Sequence, residues 1–151
     1  MKKTFLIFSL FLILTAFNIE KEVKTFGFYS NEKSNDGEHS KGYTLQLWKY
    51  KNTLIGKISY NEGLIGDQIS GYISNVKYNS EKETLYFESA LDGEKINFNG
   101  KISSSKTSGT YTWKSRIDKN QYMNICCEDA QINVDYLTLK EWKEMWKEFE
   151  H

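Results

Sequence analysis

The chain contains no proline, so every reversal of direction falls to glycine, asparagine, aspartate or serine, and stiff proline-rich linkers between domains are excluded. It also lacks an excess of either charge: Lys plus Arg and Asp plus Glu both number 20. Without a basic stripe there is nothing to neutralise a phosphate backbone, and nucleic acid is not expected as a partner. Histidine is confined to His39, in a polar stretch, and His151, at the terminus. Two histidines so placed make neither a metal cluster nor a catalytic dyad. No phosphate-binding glycine loop, nucleophile elbow or zinc-binding helix motif is present. Asp36, Glu38 and His39 share a loop but fall short of the ligand count of a calcium loop. No cofactor, metal or enzymatic activity is expected, although the spacing of a carboxylate pair in space is not legible in a sequence.

Cysteine is nearly absent. Cys126 and Cys127 are neighbours, which in a strand point to opposite faces. A bond between them would need strained geometry, so one buried and one edge thiol are expected. An intermolecular bridge in an oxidising compartment is the alternative. Long apolar runs are absent except at the N-terminus, where Lys2 and Lys3 precede Thr4 to Phe17. That run falls short of the about 20 residues a bilayer span needs and reads as an export signal over residues 1–18. A periplasmic or secreted protein follows. Leu14 makes a poor cleavage site with Ala16, which leaves an uncleaved N-terminal anchor as the alternative, and no cysteine near the end of the run supports lipid attachment.

What the chain does have is aromatic residues, 15% of the total, enough for one folded core in a chain of this length. It also has a repeated phrase. Leu54-Ile55-Gly56-Lys57-Ile58-Ser59 recurs as Ile69-Ser70-Gly71-Tyr72-Ile73-Ser74 and as Phe98-Asn99-Gly100-Lys101-Ile102-Ser103, with a worn copy at Thr107 to Thr112. Each copy places glycine in phase with the apolar residues of an alternating strand. Strands are expected over Thr25 to Ser30, Tyr43 to Tyr50, Thr53 to Tyr60, Asp67 to Tyr78, Thr84 to Ala90, Lys95 to Ser103, Ser108 to Arg116 and Gln121 to Glu128. Lys51-Asn52 and Asp92-Gly93 make tight turns. Asn31 to Gly42 is the longest expected loop. The apolar phase slips between Ile73 and Val76, which predicts a β-bulge near Ser74-Asn75.

Eight short-linked antiparallel strands close into an up-and-down barrel. The expected fold is therefore all-β: a small eight-stranded barrel over residues 24–128, followed over 129–151 by a linker and an amphipathic helix packed on it. The helix is announced by the capping box Thr138-Leu139-Lys140-Glu141. Leu137 and Trp142 complete a hydrophobic staple, and Leu139, Trp142, Met145, Trp146 and Phe149 share one face.

If the in-phase neighbours of Gly56, Gly71 and Gly100 face inward, so do the glycines. The room they leave is either covered by Tyr43, Tyr111 or Trp113, or kept for a ligand. The glycine repeat, together with Gly27-Phe28-Tyr29-Ser30-Asn31 opening the first strand, resembles the calycin barrels, the lipocalins and avidins, over roughly Phe26 to Trp113. The resemblance implies a ligand site at the barrel mouth and carries Asn31 over as a pocket residue. The other biotin contacts of avidins have no counterpart, and the capped C-terminal helix is foreign to avidins. Lipocalins do carry such a helix, but their Gly-x-Trp opening is Gly27-Phe28-Tyr29 here. Biotin is not implied.

The expected function is that of an exported, non-enzymatic barrel binding a small apolar ligand in its mouth. The candidate ligand-binding residues are Asn31, Tyr43, Leu45, Trp48, Tyr72, Phe87, Phe98, Tyr111 and Trp113, whose faces would stack on or enclose it. The alternative is an envelope protein-interaction or inhibitor module using surface aromatics.

Overall fold

A computed structural model describes residues 23–34, 36–113, 116–126 and 138–147. The expected export signal, Leu137, Glu128, Phe149 and His151 lie outside the described residues. Alternating apolar and polar residues generate strands β1 (Val23–Ser30), β2 (Lys33–Ser34), β3 (His39–Tyr50), β4 (Thr53–Leu64), β5 (Ile69–Tyr72), β6 (Ser74–Asn79), β7 (Thr84–Leu91), β8 (Glu94–Ile102), β9 (Lys106–Trp113) and β10 (Ile117–Ile125), followed by helix α1 (Leu139–Trp146). Among the described residues no helix is long and apolar enough to cross a membrane.

The strands form one antiparallel sheet in the order β5-β4-β3-β1-β10-β9-β8-β7-β6, with β2 attached to β3. The sheet curls into a nearly closed barrel. On one side β1 meets β10 through Tyr29 opposite Ile125 and Ser30 opposite Asn124, extended by the Cys126 amide donating to the Phe28 carbonyl at 2.9 Å. On the other side β5 pairs with β4 and β6 pairs with β7. Between them the Ile73 amide donates to the Gly56 carbonyl at 2.9 Å, and the Ser89 hydroxyl donates to the Tyr72 carbonyl at 2.8 Å.

Ten strands are described where eight were expected, and both extra strands have a local cause. The long fourth segment changes neighbours at Ile73 and so divides into β5 and β6. Its register against β7 slips between Ser74 and Lys77, with Asn75 at φ 49°, which is the bulge that the shift in apolar phase predicts. The stretch expected to be one loop from Asn31 to Gly42 instead holds β2, which pairs Lys33 with Lys41 and Ser34 with Ser40. The tight turns form where expected. Lys51-Asn52 sets Tyr50 against Thr53, and Asp92-Gly93 joins β7 to β8 with both residues at positive φ, 49° and 72°, as the right-handed twist of a hairpin favours.

The glycines of the repeat keep the inward phase but leave no vacancy. A Cβ on Gly56 would strike the Gln46 carbonyl and come within 2.8 Å of Leu47 Cδ2. Gly100 and Gly109 face each other across β8 and β9, and the tip of the Phe98 ring lies 2.7 Å from where either Cβ would stand. Their use is close approach of strand to strand, which lets a small barrel coil tightly. The cover comes from Leu47 and Phe98, not from Tyr43, Tyr111 or Trp113 as expected.

Cys126 is disulfide-bonded, and no described cysteine is free. This overturns the expectation of a thiol at that residue; Cys127 lies outside the described residues. Helix α1 begins as its sequence dictates. Thr138 is extended at φ −72° and ψ 159°, accepts from the Glu141 amide at 3.2 Å and donates its own amide to the Glu141 carboxylate at 2.7 Å. The helix packs on the outer wall of β1, β3, β4 and β5. Trp142, 5% exposed, meets Trp48 edge-on at 5.4 Å and Tyr72 at 5.9 Å.

Candidate functional site

The inward residues of successive strands stack into an aromatic column. Phe87 and Phe98, opposite each other in β7 and β8, stack at 5.4 Å. Phe98 meets Tyr111 at 4.9 Å, and Tyr111 stacks on Tyr43 at 4.2 Å and 13°. At these separations the rings are in direct contact with one another. All four are buried, as is Leu45. Burial pushes the hydroxyl pKa of Tyr111 and Tyr43 upward, aided at Tyr43 by donation to Asp118, so both remain neutral donors.

Above Tyr43 the column opens into a polar rim. The two-residue turn at Lys51-Asn52 places Tyr60 opposite Tyr43, with ring centroids 4.7 Å apart. Trp113, at the end of β9, stands nearly perpendicular to Tyr60 at 5.5 Å and 75°. The chain then reverses, so that Asp118 falls opposite Tyr111 while Arg116 reaches over the barrel end. The Arg116 guanidinium lies over both rings, 4.6 Å from Tyr60 and 4.8 Å from Trp113, distances at which a cation is held by the negative face of an aromatic ring.

Two carboxylates complete the rim. Asp118 Oδ2 accepts from the Tyr43 hydroxyl and lies 3.3 Å from Arg116 Nε. Glu62 lies 3.4 Å from Arg116 Nη1, accepts from the Tyr60 hydroxyl at 2.5 Å and pairs with Lys41. The bond from Lys41, then that from Tyr60, holds the Glu62 carboxyl at about 2. Trp113 Nε1 donates to the Tyr43 hydroxyl at 2.8 Å, which fixes the indole plane. The rim thus offers two fixed aromatic faces, two carboxylates and two cations of the chain itself.

The nine candidates therefore divide. Tyr43, Leu45, Phe87, Phe98 and Tyr111 come together inside, and Trp113 stands at the mouth, half-buried. Trp48 and Tyr72 point the other way: they lie on the outer wall beneath Trp142, Trp48 buried and Tyr72 half-buried there by the helix and not by the barrel. Asn31 is engaged in closing the sheet, accepting from the Tyr43 amide at 2.7 Å and donating to Gln121 at 2.9 Å. Tyr60, Glu62, Arg116 and Asp118 were missed. Only Tyr60 carries a sequence signal, since counting outward from the Lys51-Asn52 turn pairs it with Tyr43. In the polar loop Asp36 is engaged locally, accepting from the His39 amide at 2.6 Å, the Glu38 amide at 2.9 Å and His39 Nδ1 at 2.7 Å. Those bonds, from His39 first, hold its carboxyl below the usual range. Among the described residues no three His, Cys, Asp or Glu side chains gather in a way that could hold a metal ion. No protein-family model, curated protein or solved structure matches the chain.

Proposed function

We propose that this chain is an exported, non-enzymatic barrel of calycin-like kind that binds a small ligand at its mouth, with the apolar part of the ligand lying against Tyr60 and Trp113. The observation that carries this reading is the pair of near-perpendicular rings at the barrel end, held rigid by the Trp113 to Tyr43 hydrogen bond and bordered by charged groups. Preorganised aromatic faces with a few fixed polar groups are the usual make-up of a small-molecule site. The interior column supports placing the ligand at the mouth, since its rings already cover one another. Titration with an apolar fluorophore such as anilinonaphthalene sulfonate tests the site. Trp113→Ala is expected to weaken binding by about tenfold or more while far-UV circular dichroism stays that of the folded barrel. Equal binding by the variant sinks the reading.

A second reading, an envelope protein as partner, is favoured by a different surface. Ile117 and Tyr122, on β10, are 58% and 70% exposed, and among the described residues β10 pairs with β1 only at Asn124 and Ile125. A strand edge flanked by exposed apolar residues suits strand addition by a partner.

A further inference from the structure

We propose that the ligand of the mouth is a small organic cation, a quaternary ammonium or guanidinium head group, and that Arg116 occupies its place from within the chain. The inference rests on the mouth being the binding site and names the chemistry it selects. Three observations lead to it. The first is the occupant. A guanidinium already lies 4.6 and 4.8 Å from the centroids of Tyr60 and Trp113, so the corner between the rings has the shape and field that a cationic head group requires.

The second observation is the looseness of the ion pairs. Arg116 stands 3.3 Å from Asp118 and 3.4 Å from Glu62, longer than the 2.7–2.9 Å of a tight charge-assisted bond. Asp118 is also engaged by Tyr43, and Glu62 by Tyr60 and Lys41. Arg116 thus lies on the ring faces with only long ion pairs to either carboxylate. Since Asp118 keeps Tyr43 and Glu62 keeps Tyr60 and Lys41, a head group with no hydrogen-bond donors can replace it there without leaving a carboxylate unpartnered. The third observation is preorganisation. The Tyr60 ring is anchored through its hydroxyl to Glu62, and Trp113 through its indole nitrogen to Tyr43, so the corner survives when its occupant leaves. Arg116 is the competitor that sets the affinity. An external cation must displace it, which weakens binding to the wild-type chain and favours ligands present at high concentration.

The test compares choline with its neutral isostere, 3,3-dimethylbutan-1-ol, by isothermal titration at constant ionic strength. Wild-type protein and Arg116→Ala are both titrated, with Arg116→Gln carrying the same titration should the alanine variant fail to fold. Removal of the internal cation is expected to tighten choline binding about tenfold or more over wild type, with choline preferred to the isostere by a similar factor. Adding Trp113→Ala to the variant should abolish the preference. Equal affinity for choline and the isostere overturns the cationic specificity while leaving the mouth as an apolar site. Choline binding as tight to wild type as to the variant overturns the role of Arg116. If neither ligand binds the variant, the inference fails. In that case the apolar fluorophore separates the two readings, because its Trp113-dependent binding upholds the mouth site and its loss removes that as well.

Discussion

The interior column and the rim are built from the same rings, in contact at similar distances, yet their open edges differ. Inside, Phe98 meets the rings of Phe87 and Tyr111 within an apolar core and covers Gly100 and Gly109, and the Tyr111 hydroxyl has Met123 Sδ at 4.0 Å for company. At the rim, Tyr60 and Tyr43 each donate to a carboxylate, and a guanidinium lies across Tyr60 and Trp113. The difference is one of surroundings. Rings enclosed on every side contribute burial and packing, which carry no charge for pH to titrate or for salt to screen. Rings with a polar open edge contribute less to stability and present a face that recognises something.

The sharpest way to break this contrast is at the heart of the column. Phe98→Ala removes a fully buried ring that also caps Gly100 and Gly109. It is expected to cost about 3–5 kcal/mol in urea unfolding, with the same loss at pH 4 and pH 7. A loss below about 1 kcal/mol would mean that the column collapses to refill the space. Next in size is Gly100→Ala. Its new methyl meets the Ser108 carbonyl and comes within 2.7 Å of both Gly109 Cα and Phe98 Cζ, and about 1–3 kcal/mol is expected. Because the Ser108 carbonyl is backbone, adding Phe98→Leu should not restore stability. Restoration would show that the glycine serves the ring and not the strand approach.

This contrast was only half legible in the chain. Local determinants were readable: the capping box at Thr138, the Lys51-Asn52 turn, the bulge near Ser74, and the phase that puts Leu45, Phe98 and Tyr111 inside all depend on residues close in sequence. Trp48 shows where local reading stops. It alternates with Leu45 and Leu47 and so faces outward, and it is buried because Trp142, far along the chain, lies on it. An aromatic residue in a strand carries no mark of which later element will cover it. The rim was the least legible part. Arg116 meets Glu62 across 54 residues, and neither β4 after Tyr60 nor the entry to β10 alternates apolar and polar in a way that would single out those charges. Register from the nearest tight turn recovers Tyr60. Asp118 and Arg116 need the closure of the barrel itself.

The smallest expected effect lies at the rim and separates it cleanly from the interior. The Glu62 carboxyl is held at about 2, below its ordinary 4.5, by the bonds from Lys41 and Tyr60. A lowered native pKa means that the unfolded chain binds the proton more readily, so the contribution is complete above pH 4.5 and fades as the pH falls towards 2. Glu62 is about half exposed, with 49% of its side chain accessible, so solvent screens the pair and the contribution is about 1 kcal/mol or less. Urea unfolding of wild type and Glu62→Gln should therefore differ by that amount at pH 6. The difference should narrow as the pH is lowered through 4 to 3, and it should shrink further in 0.5 M salt, at roughly which concentration exposed pairs are largely screened. Phe98→Ala should show no such narrowing. A difference between wild type and Glu62→Gln that persists unchanged to low pH would mean that Glu62 acts through its shape and not its charge. The rim would then be an extension of the packed interior.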